Sequence, residues 1–366
     1  MLCIISPAKS LAANLGLVLP QAVTQPPFLD KTNALVVQLK RKLRASDYKK
    51  MMSVSEAIAS RTHAEYQSWN ADGAKLTPAG LLFDGPAYKG LDVGSLSPTD
   101  VAACGRSVRF LSGLYGLLRA TDEIQDHRLE MGTKGLPLPV PVPIIPAQKK
   151  KASPKETVVT AAAPTTLYEY WHDPMLAALS QELGSHGILL NCASQEYAKA
   201  MPLAKLEPTV KVINCTFTDQ GSIKSVYAKR ARGLMSRYVS TSPEIAQVLA
   251  AHETGKLQPT AFHTAMETAL CSFDLDGYRF VSKEAAADGQ GGVTLLFDRN
   301  FKPPKPEPFR NAPGSAKAVA LGGGGSSGSV IDKGAGKRKA ADVDECVTAH
   351  VPDAASNKAP SKRAKK

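Results

Sequence analysis

The chain has 366 residues and carries 45 Lys and Arg against 33 Asp and Glu, which gives a formal net charge of +12. That length suffices for one large or two ordinary domains with a hydrophobic core, and the charge favours polyanionic partners, nucleic acid first. A membrane surface is compatible with the charge alone, but no apolar run approaches the roughly 20 residues that span a bilayer, and the N-terminus lacks the regions of a secretory signal. We expect a soluble intracellular protein with no membrane partner.

The first predicted element is a strand over residues 2–6, which starts at once and leaves no room for a cleaved presequence. It runs directly into a segment that contains Ser6 and Lys9. Ligands in open α/β sheets bind beyond the carboxyl ends of strands. We therefore expect Ser6 and Lys9 to face a site.

Residues 45–65 are predicted to form two helices joined by a very tight turn around Val54. Ser53 with Glu56 makes a capping-box pattern, and Ser53 and Ser55 supply the small residues that a helix-hairpin-helix module uses to grip a DNA phosphate through backbone N–H groups. Lys49 and Lys50 precede this turn. A plain helical hairpin that supports the core remains the alternative for this segment.

Two segments rich in Gly, with a Tyr and a cation each, follow at residues 83–91 and 110–119 and are predicted to be loops or turns, and a third segment with an Arg and a Gly follows at 128–132. They contain neither the P-loop spacing nor the Gly-x-Gly-x-x-Gly spacing of dinucleotide sites. We predict no cofactor. Residues 135–165 then form a Pro-rich stretch with a Lys cluster and an Ala run, which favours a disordered, polyproline-like insertion.

A second strand-to-helix junction is predicted at residues 187–199, with a strand over 187–191 and Ser194 as the N-cap of the helix. The amides at such a helix start carry positive partial charge. We expect Asn191 and Ser194 to face the same kind of site as Ser6.

A hairpin is predicted next, with a strand at 211–217, a turn at 218–221 and a return strand at 223–227 that leads into a cationic helix over 227–238. One side of that helix collects its apolar residues, and the opposite side collects Lys229, Arg232, Gly233 and Ser236. Lys229 is expected in the first turn. The small residues would let a phosphate or base approach the backbone, whereas an ordinary solvated cationic face is the alternative.

Residues 301–366 are rich in Pro, Gly and Ser and end in basic clusters at 337–339 and 362–366, which predicts a disordered basic tail. Such clusters suit recognition by a nuclear import receptor or nonspecific contact with nucleic acid, and we favour nuclear import. We accordingly expect a eukaryotic protein found in nucleus and cytoplasm, with one folded domain over residues 1–300.

The six cysteines are dispersed, with no Cys-x-x-Cys pair and no histidine at zinc spacing. Cys3, Cys192 and Cys215 lie in apolar, strand-like runs, which predicts buried thiols. We expect a reduced protein with no metal site.

Six strings carry a resemblance to a known family. They are Ile-Ile-Ser-Pro-Ala-Lys at 4–9, Phe-Asp-Gly-Pro-Ala-Tyr-Lys-Gly at 83–90, Leu-Ser-Gly-Leu-Tyr-Gly-Leu-Leu-Arg at 111–119, Arg-Leu-Glu-Met-Gly at 128–132, Asn-Cys-Ala-Ser-Gln-Glu-Tyr at 191–197, and Tyr-Ala-Lys-Arg-Ala-Arg-Gly-Leu-Met-Ser-Arg at 227–237. In sequence and order they resemble the YaaA family of peroxide-stress proteins over residues 1–300.

The resemblance implies a single compact, mixed α/β (α+β) domain with a positively charged cleft and a helix-hairpin-helix element. It also implies double-stranded DNA as partner and a role in limiting damage from hydrogen peroxide, linked to lower free intracellular iron. The seven histidines are isolated, so direct iron chelation is not the mechanism that this sequence suggests.

The candidate residues form three groups. Nucleic-acid contacts are expected from Lys49, Lys50, Ser53, Ser55, Lys89, Arg119, Arg128, Lys229, Arg232 and Arg237. The cleft lining is expected to include Ser6, Lys9, Tyr88, Ser112, Tyr115, Asn191, Ser194, Tyr197 and Tyr227. If the protein is an enzyme, the catalytic candidates are Lys9, Glu130, Glu196 and Lys229.

Two functions follow from these groups. The first is a nonenzymatic DNA-binding protein that protects duplex DNA during oxidative stress. The second is an enzyme acting on a nucleic-acid base or a small nucleotide-like ligand, with a carboxylate as acid or base and a lysine as nucleophile. Pairing of Glu130 and Glu196 with cations is the structural alternative to catalysis.

Overall fold

The computed structural model describes residues 1–12, 18–19, 22–70, 75–140, 162–286 and 291–299, and all of them belong to one compact unit, Met1–Lys305. Most of the Pro-rich segment predicted at 135–165 and all of the tail predicted at 301–366 lie outside the described residues. The strands are β1 Leu2–Ile5, β2 Ser10–Leu11, β3 Thr77–Pro78, β4 Phe83–Asp84, β5 Val108–Ser112, β6 Gly116–Leu118, β7 Glu123–Ile124, β8 Ile188–Asn191, β9 Lys211–Asp219, β10 Tyr278–Ala285 and β11 Val293–Arg299.

Eleven α-helices are found in the described part of the chain. They are α1 Leu29–Lys42, α2 Ala45–Met52, α3 Glu56–Gln67, α4 Ala79–Leu82, α5 Pro86–Leu91, α6 Pro98–Ser107, α7 Leu167–Leu183, α8 Gln195–Ala198, α9 Ser225–Thr241, α10 Pro243–Glu253 and α11 Pro259–Cys271. Three 3-10 turns, Val93–Ser95, Leu203–Lys205 and Leu275–Gly277, complete the elements.

A seven-stranded, mostly parallel sheet forms the centre of the fold, in the order β10-β11-β9-β8-β1-β5-β6. The five middle strands run parallel, and β6 and β10 are added antiparallel at the two edges. All four residues of β1 are buried, as is typical of a parallel strand covered on both faces. The mixed α/β class predicted from the sequence is confirmed.

Helix α9 packs against the short helix α5 at backbone distance. A Cβ added to Gly233 would lie 1.7 Å from the carbonyl oxygen of Ala87, and one added to Gly90 would lie 2.3 Å from that of Arg230. Ser236 is fully buried and donates a hydrogen bond to the carbonyl of Arg232 at 3.0 Å. The prediction that Gly233 and Ser236 admit a phosphate is therefore wrong, because α5 covers Gly233 and Ser236 is buried.

The return strand predicted at 223–227 is absent, and α9 begins there instead. Strand β9 is already hydrogen-bonded to β8 on one side and to β11 on the other, so it has no free edge for a hairpin partner. Gln220 and Gly221 form the turn with φ of 53° and 78°, and Lys224 is the residue before the helix. Lys229 consequently lies in the second turn of α9, not in the first.

The predicted helical pair at 45–65 is confirmed as α2 and α3, but the capping residue differs. Ser53 ends α2 in the left-handed region, with φ 52°. Ser55 is the N-cap of α3, and its Oγ accepts a hydrogen bond from the backbone N–H of Ile58 at 3.4 Å. The capping box expected at Ser53 is wrong, because α3 has its N-cap two residues later, at Ser55. The segment 83–91, predicted to be a loop, forms β4 and α5.

Candidate functional site

A cavity of about 280 Å³ opens beyond the carboxyl ends of β1 and β8, and we call it the strand-end cavity. Its walls come from the segment after β1, the start of α5, the segment from Cys192 to Tyr197, and α9. It brings together eight residues predicted from the sequence: Ser6, Lys9, Tyr88, Ser194, Glu196, Tyr197, Lys229 and Arg232. These residues come from four separate stretches of the chain.

Two serines join the segments that follow β1 and β8. The Ser6 Oγ accepts a hydrogen bond from the backbone N–H of Ser194 at 2.8 Å and donates one to the Ser194 Oγ at 3.0 Å. Tyr88 of α5 donates its phenol to the carbonyl oxygen of Ser6 at 3.2 Å. Burial raises the pKa of Tyr88 well above its usual value, so the phenol stays a donor.

The N-cap position predicted for Ser194 is confirmed, but α8 has only four residues and the Ser194 side chain makes no cap hydrogen bond. A helix of a single turn offers little of the dipole expected there. The polar character of this wall comes from the serine hydroxyls and not from a helix terminus.

Glu130 is held between two cations, one of which, Lys9, lines the strand-end cavity. Its carboxylate accepts from Lys9 Nζ at 2.6 Å and from an Arg128 guanidinium nitrogen at 3.0 Å. Glu196 accepts a hydrogen bond from the backbone N–H of Gly132 at 3.2 Å. The ion-pair alternative therefore holds for Glu130, whereas one carboxylate oxygen of Glu196 has no partner in the part of the chain that the structure describes.

Lys229 and Arg232 lie three residues apart on α9 and both line the strand-end cavity. Within the described ranges neither of them forms an ion pair, and the Arg232 Nε is buried without a hydrogen-bond partner. Residues three apart on a helix share a face. Two cations are thus presented side by side to the cavity.

The buried thiols predicted at Cys3, Cys192 and Cys215 are confirmed. Cys192 lines the strand-end cavity. A hydrogen bond with Cys215, together with burial, holds the pKa of the Cys192 thiol well above its usual value. The thiol therefore stays protonated and is a poor nucleophile.

A second cavity, of about 230 Å³, shares Lys9 and Ser10 with the first, and we call it the adjoining cavity. It also contains Arg128, which was predicted as a nucleic-acid contact. The sequence reasoning missed its other members, which are Leu11, Ile58, Arg61, Thr62, Glu65 and His127. The signal was present on α3, since residues 58, 61, 62 and 65 recur at helical spacing on one face.

Several predicted residues lie away from the two cavities. Arg119 lines a larger, separate cavity at the amino ends of β1 and β5 and lies 3.4 Å from Glu182. Arg237 donates to the carbonyl oxygens of Leu91 and Asp92, at 2.9 and 3.0 Å. Its guanidinium thus ties α9 to the end of α5.

Four residues predicted as cleft lining are also placed elsewhere. Ser112 and Tyr115 are buried in the core, where the Tyr115 phenol accepts from the backbone N–H of Gln125. Asn191 donates to the side chain of Asn214 at 2.9 Å, and Tyr227 is exposed with the Arg299 guanidinium 3.8 Å above its ring. Family strings of this type mix site residues with core residues.

The cations near the α2–α3 turn are exposed. Lys49 pairs with Glu56 at 3.0 Å, and Lys50 has no ion pair among the described residues. Lys89 of α5 lies 3.7 Å from Asp84. Such exposed pairs contribute little to stability and leave the lysines able to meet another anion.

No cluster of three or more His, Cys, Asp and Glu side chains within the described ranges is arranged to hold a metal ion. None of the described helices combines the length and the apolar character needed to cross a bilayer.

Comparison with known proteins decides the family. A family model described as peroxide stress protein YaaA matches residues 1–140 and 153–252. The chain belongs to the YaaA family. All residues that line the strand-end cavity fall inside this match, whereas α11, β10 and β11 lie beyond its end. The YaaA match therefore covers the candidate site and most of the sheet.

Similar proteins are known from bacteria under the name UPF0246 protein. One from Aliivibrio fischeri (strain ATCC 700601 / ES114) is 33% identical over 307 residues, which cover 82% of this chain and 98% of the relative. Others from Burkholderia mallei (strain SAVP1) and Burkholderia pseudomallei (strain K96243) are 37% identical over 252 residues, or 65% of this chain and 85% of each relative. The strings that suggested the YaaA family thus belong to a similarity that spans most of the chain.

Proposed function

We propose that this protein binds double-stranded DNA in the cellular response to hydrogen peroxide. The observation that carries the proposal is that Lys229 and Arg232 line the strand-end cavity and form no ion pair among the described residues. This cavity shares Lys9 with the adjoining cavity, which is lined by Arg61 and Arg128. The family name and the net charge of +12 favour the same partner. We propose that this joined surface is the positively charged cleft that the sequence implied.

Contacts of this kind would be made to the DNA backbone. In our proposal the α2–α3 turn acts as the helix-hairpin-helix element, with Lys50 beside it, and Lys229 and Arg232 neutralise phosphates along the cleft. Phosphate contacts fix position without reading sequence. We therefore expect binding with weak sequence preference.

The cellular part of the proposal is protection of DNA and a lowered free-iron level after peroxide exposure, with the protein in nucleus and cytoplasm. Cells that lack the protein should show more DNA strand breaks and more chelatable iron after peroxide treatment. A tagged protein without residues 301–366 should lose its nuclear fraction. Equal strand breakage and iron with and without the protein contradicts this part alone.

Salt dependence of DNA binding tests the molecular proposal. The logarithm of the affinity should fall linearly with the logarithm of salt concentration, with a slope of about −0.9 per neutralised phosphate. The double variant Lys229→Gln, Arg232→Gln should reduce the steepness of that slope by the contribution of about two phosphate contacts. Lys256→Gln, an exposed lysine outside the cavities described above, is the matched control and should leave the slope unchanged.

Binding that is insensitive to salt between low and physiological ionic strength would overturn the proposal. Equal slopes for the double variant and the wild type would show that the strand-end cavity is not part of the DNA-binding surface.

A second candidate function is an enzyme that acts on a nucleic-acid base or nucleotide. It is favoured by the strand-end cavity, because Ser194, Glu196 and Lys229 line the same volume. Lys229 is the better candidate for a Schiff base, because Lys9 is paired with Glu130. Borohydride treatment of the protein on damaged DNA should then trap an adduct at Lys229, and the absence of any adduct argues against this chemistry.

A further inference from the structure

The charges that line the strand-end cavity are unequally partnered. Lys9 is neutralised by Glu130 and Asp84 lies near Lys89, whereas Lys229 and Arg232 have no ion pair within the described ranges. Two adjacent cations are therefore available to one ligand. An internal phosphodiester carries a single negative charge, but a phosphomonoester carries about −1.5 to −2 at neutral pH and has three terminal oxygens.

A hydroxyl donor faces the same volume. The Ser194 Oγ accepts from Ser6, and in the described part of the chain its own proton has no acceptor. Hydrogen bonds to a charged acceptor are the stronger ones. Ser194, Lys229 and Arg232 together supply donors suited to a terminal phosphate.

The remaining wall offers groups for the rest of a nucleotide. Among the described residues, Glu196 has one carboxylate oxygen without a partner; Glu196 and Tyr197 both line the cavity. A carboxylate accepts hydrogen bonds from sugar hydroxyls or an exocyclic amine. A volume of about 280 Å³ is close to the lower end of small-molecule sites, which suits a single nucleotide.

We propose that the strand-end cavity binds the phosphomonoester of a single nucleotide, at the end of a DNA strand or as a free mononucleotide. The proposal rests on the DNA-binding function above, because it names the group that enters the same cleft. Lys229 and Arg232 neutralise the phosphate dianion, Ser194 donates to it, and Glu196 accepts from the sugar or base.

Three duplexes that share one sequence and differ only in their end groups test this proposal. They carry a 5′-phosphate, a 3′-phosphate or only hydroxyl ends, and dAMP and inorganic phosphate serve as competitors and as direct ligands. A duplex with one kind of terminal phosphate should bind about 10- to 100-fold more tightly than the hydroxyl-ended duplex, the effect of losing a charge-assisted hydrogen bond or two. Lys229→Gln, on an exposed side chain that should not disturb folding, is expected to abolish this preference.

Lys50→Gln is the matched control, because Lys50 is exposed on α2 outside both cavities. It should weaken all duplexes equally and keep the phosphate preference. Direct binding of dAMP, without a preference among duplexes, supports the proposal and identifies a free mononucleotide as the source. Binding of dAMP with no duplex binding at all supports it and removes the DNA-binding function instead.

Equal affinity for all three duplexes, with no binding of dAMP or inorganic phosphate, overturns the proposal while DNA binding stands. Equal loss of the phosphate preference in Lys50→Gln and Lys229→Gln also overturns it, since the effect would then be one of general charge.

Discussion

Replacing Gly233 by alanine should destabilise the protein through the contact between α5 and α9. The new Cβ would lie 1.7 Å from the carbonyl oxygen, 2.6 Å from the carbonyl carbon of Ala87 and 2.9 Å from the backbone nitrogen of Leu91. All three atoms belong to backbone, so no side chain can turn away. Restoring normal contact requires α5 to move by more than about 1 Å, because real Cβ atoms stay beyond 3.0 Å.

The expected size follows from two opposing effects. Overpacking of this kind costs about 1–3 kcal/mol or more, and the rigidity of the backbone contact favours the upper part of that range. Alanine regains about 1 kcal/mol of helix propensity. We therefore expect Gly233→Ala to lower the free energy of unfolding by about 1–2 kcal/mol or more, measured by urea denaturation.

Gly105→Ala is the matched control. Gly105 lies in α6, and its added Cβ would have no neighbour closer than the Thr121 Oγ1 at 4.0 Å. The substitution should be neutral or raise the free energy of unfolding by up to about 1 kcal/mol. Unchanged stability of Gly233→Ala, or equal destabilisation by both variants, would refute the idea that the close contact between α5 and α9 excludes a side chain at position 233.

Two further predictions concern residues outside the strand-end cavity. Arg237→Ala removes the hydrogen bonds to the end of α5 and should lower the free energy of unfolding by about 1–3 kcal/mol, with unchanged DNA affinity in a binding titration; weakened DNA binding by a stable variant contradicts this. Burial lowers the pKa of His127 to about 4, so the unfolded chain takes up its proton first and about 3 kcal/mol of stability is lost as pH falls from about 6.5 to about 4. His127→Gln should flatten the dependence of unfolding free energy on pH by that amount, and an unchanged dependence rules out His127 as its source.

The sequence predicts best those features that depend on local pattern. The buried runs of β1 and β8 and the cationic helix α9 were recognisable, because apolar periodicity and short turns are local signals. So was the position of Lys9 beyond a parallel strand. The family strings added Glu196 and Tyr197, which the structure places in the same cavity.

Features that depend on distant partners were not predictable in this way. The face of α9 that holds Gly233 looked open, because nothing near it in sequence shows that α5 packs there. No strand forms at 223–227, because β11 occupies the edge of β9 where that strand was expected to pair. Strand β11 is far from β9 in the sequence. Arg61 enters the site only through the packing of α3 beside the segment after β1.

The close approach of α5 and α9 has a consequence for binding kinetics. Tyr88 and Ala87 form one wall of the strand-end cavity and Arg232 another, and Gly90 and Gly233 bring the backbones of these two walls into direct contact. A ligand then finds its contacts preorganised and loses little conformational entropy of the protein on binding. Association should therefore proceed in one concentration-dependent phase, without the slow isomerisation that follows binding to a closing lid.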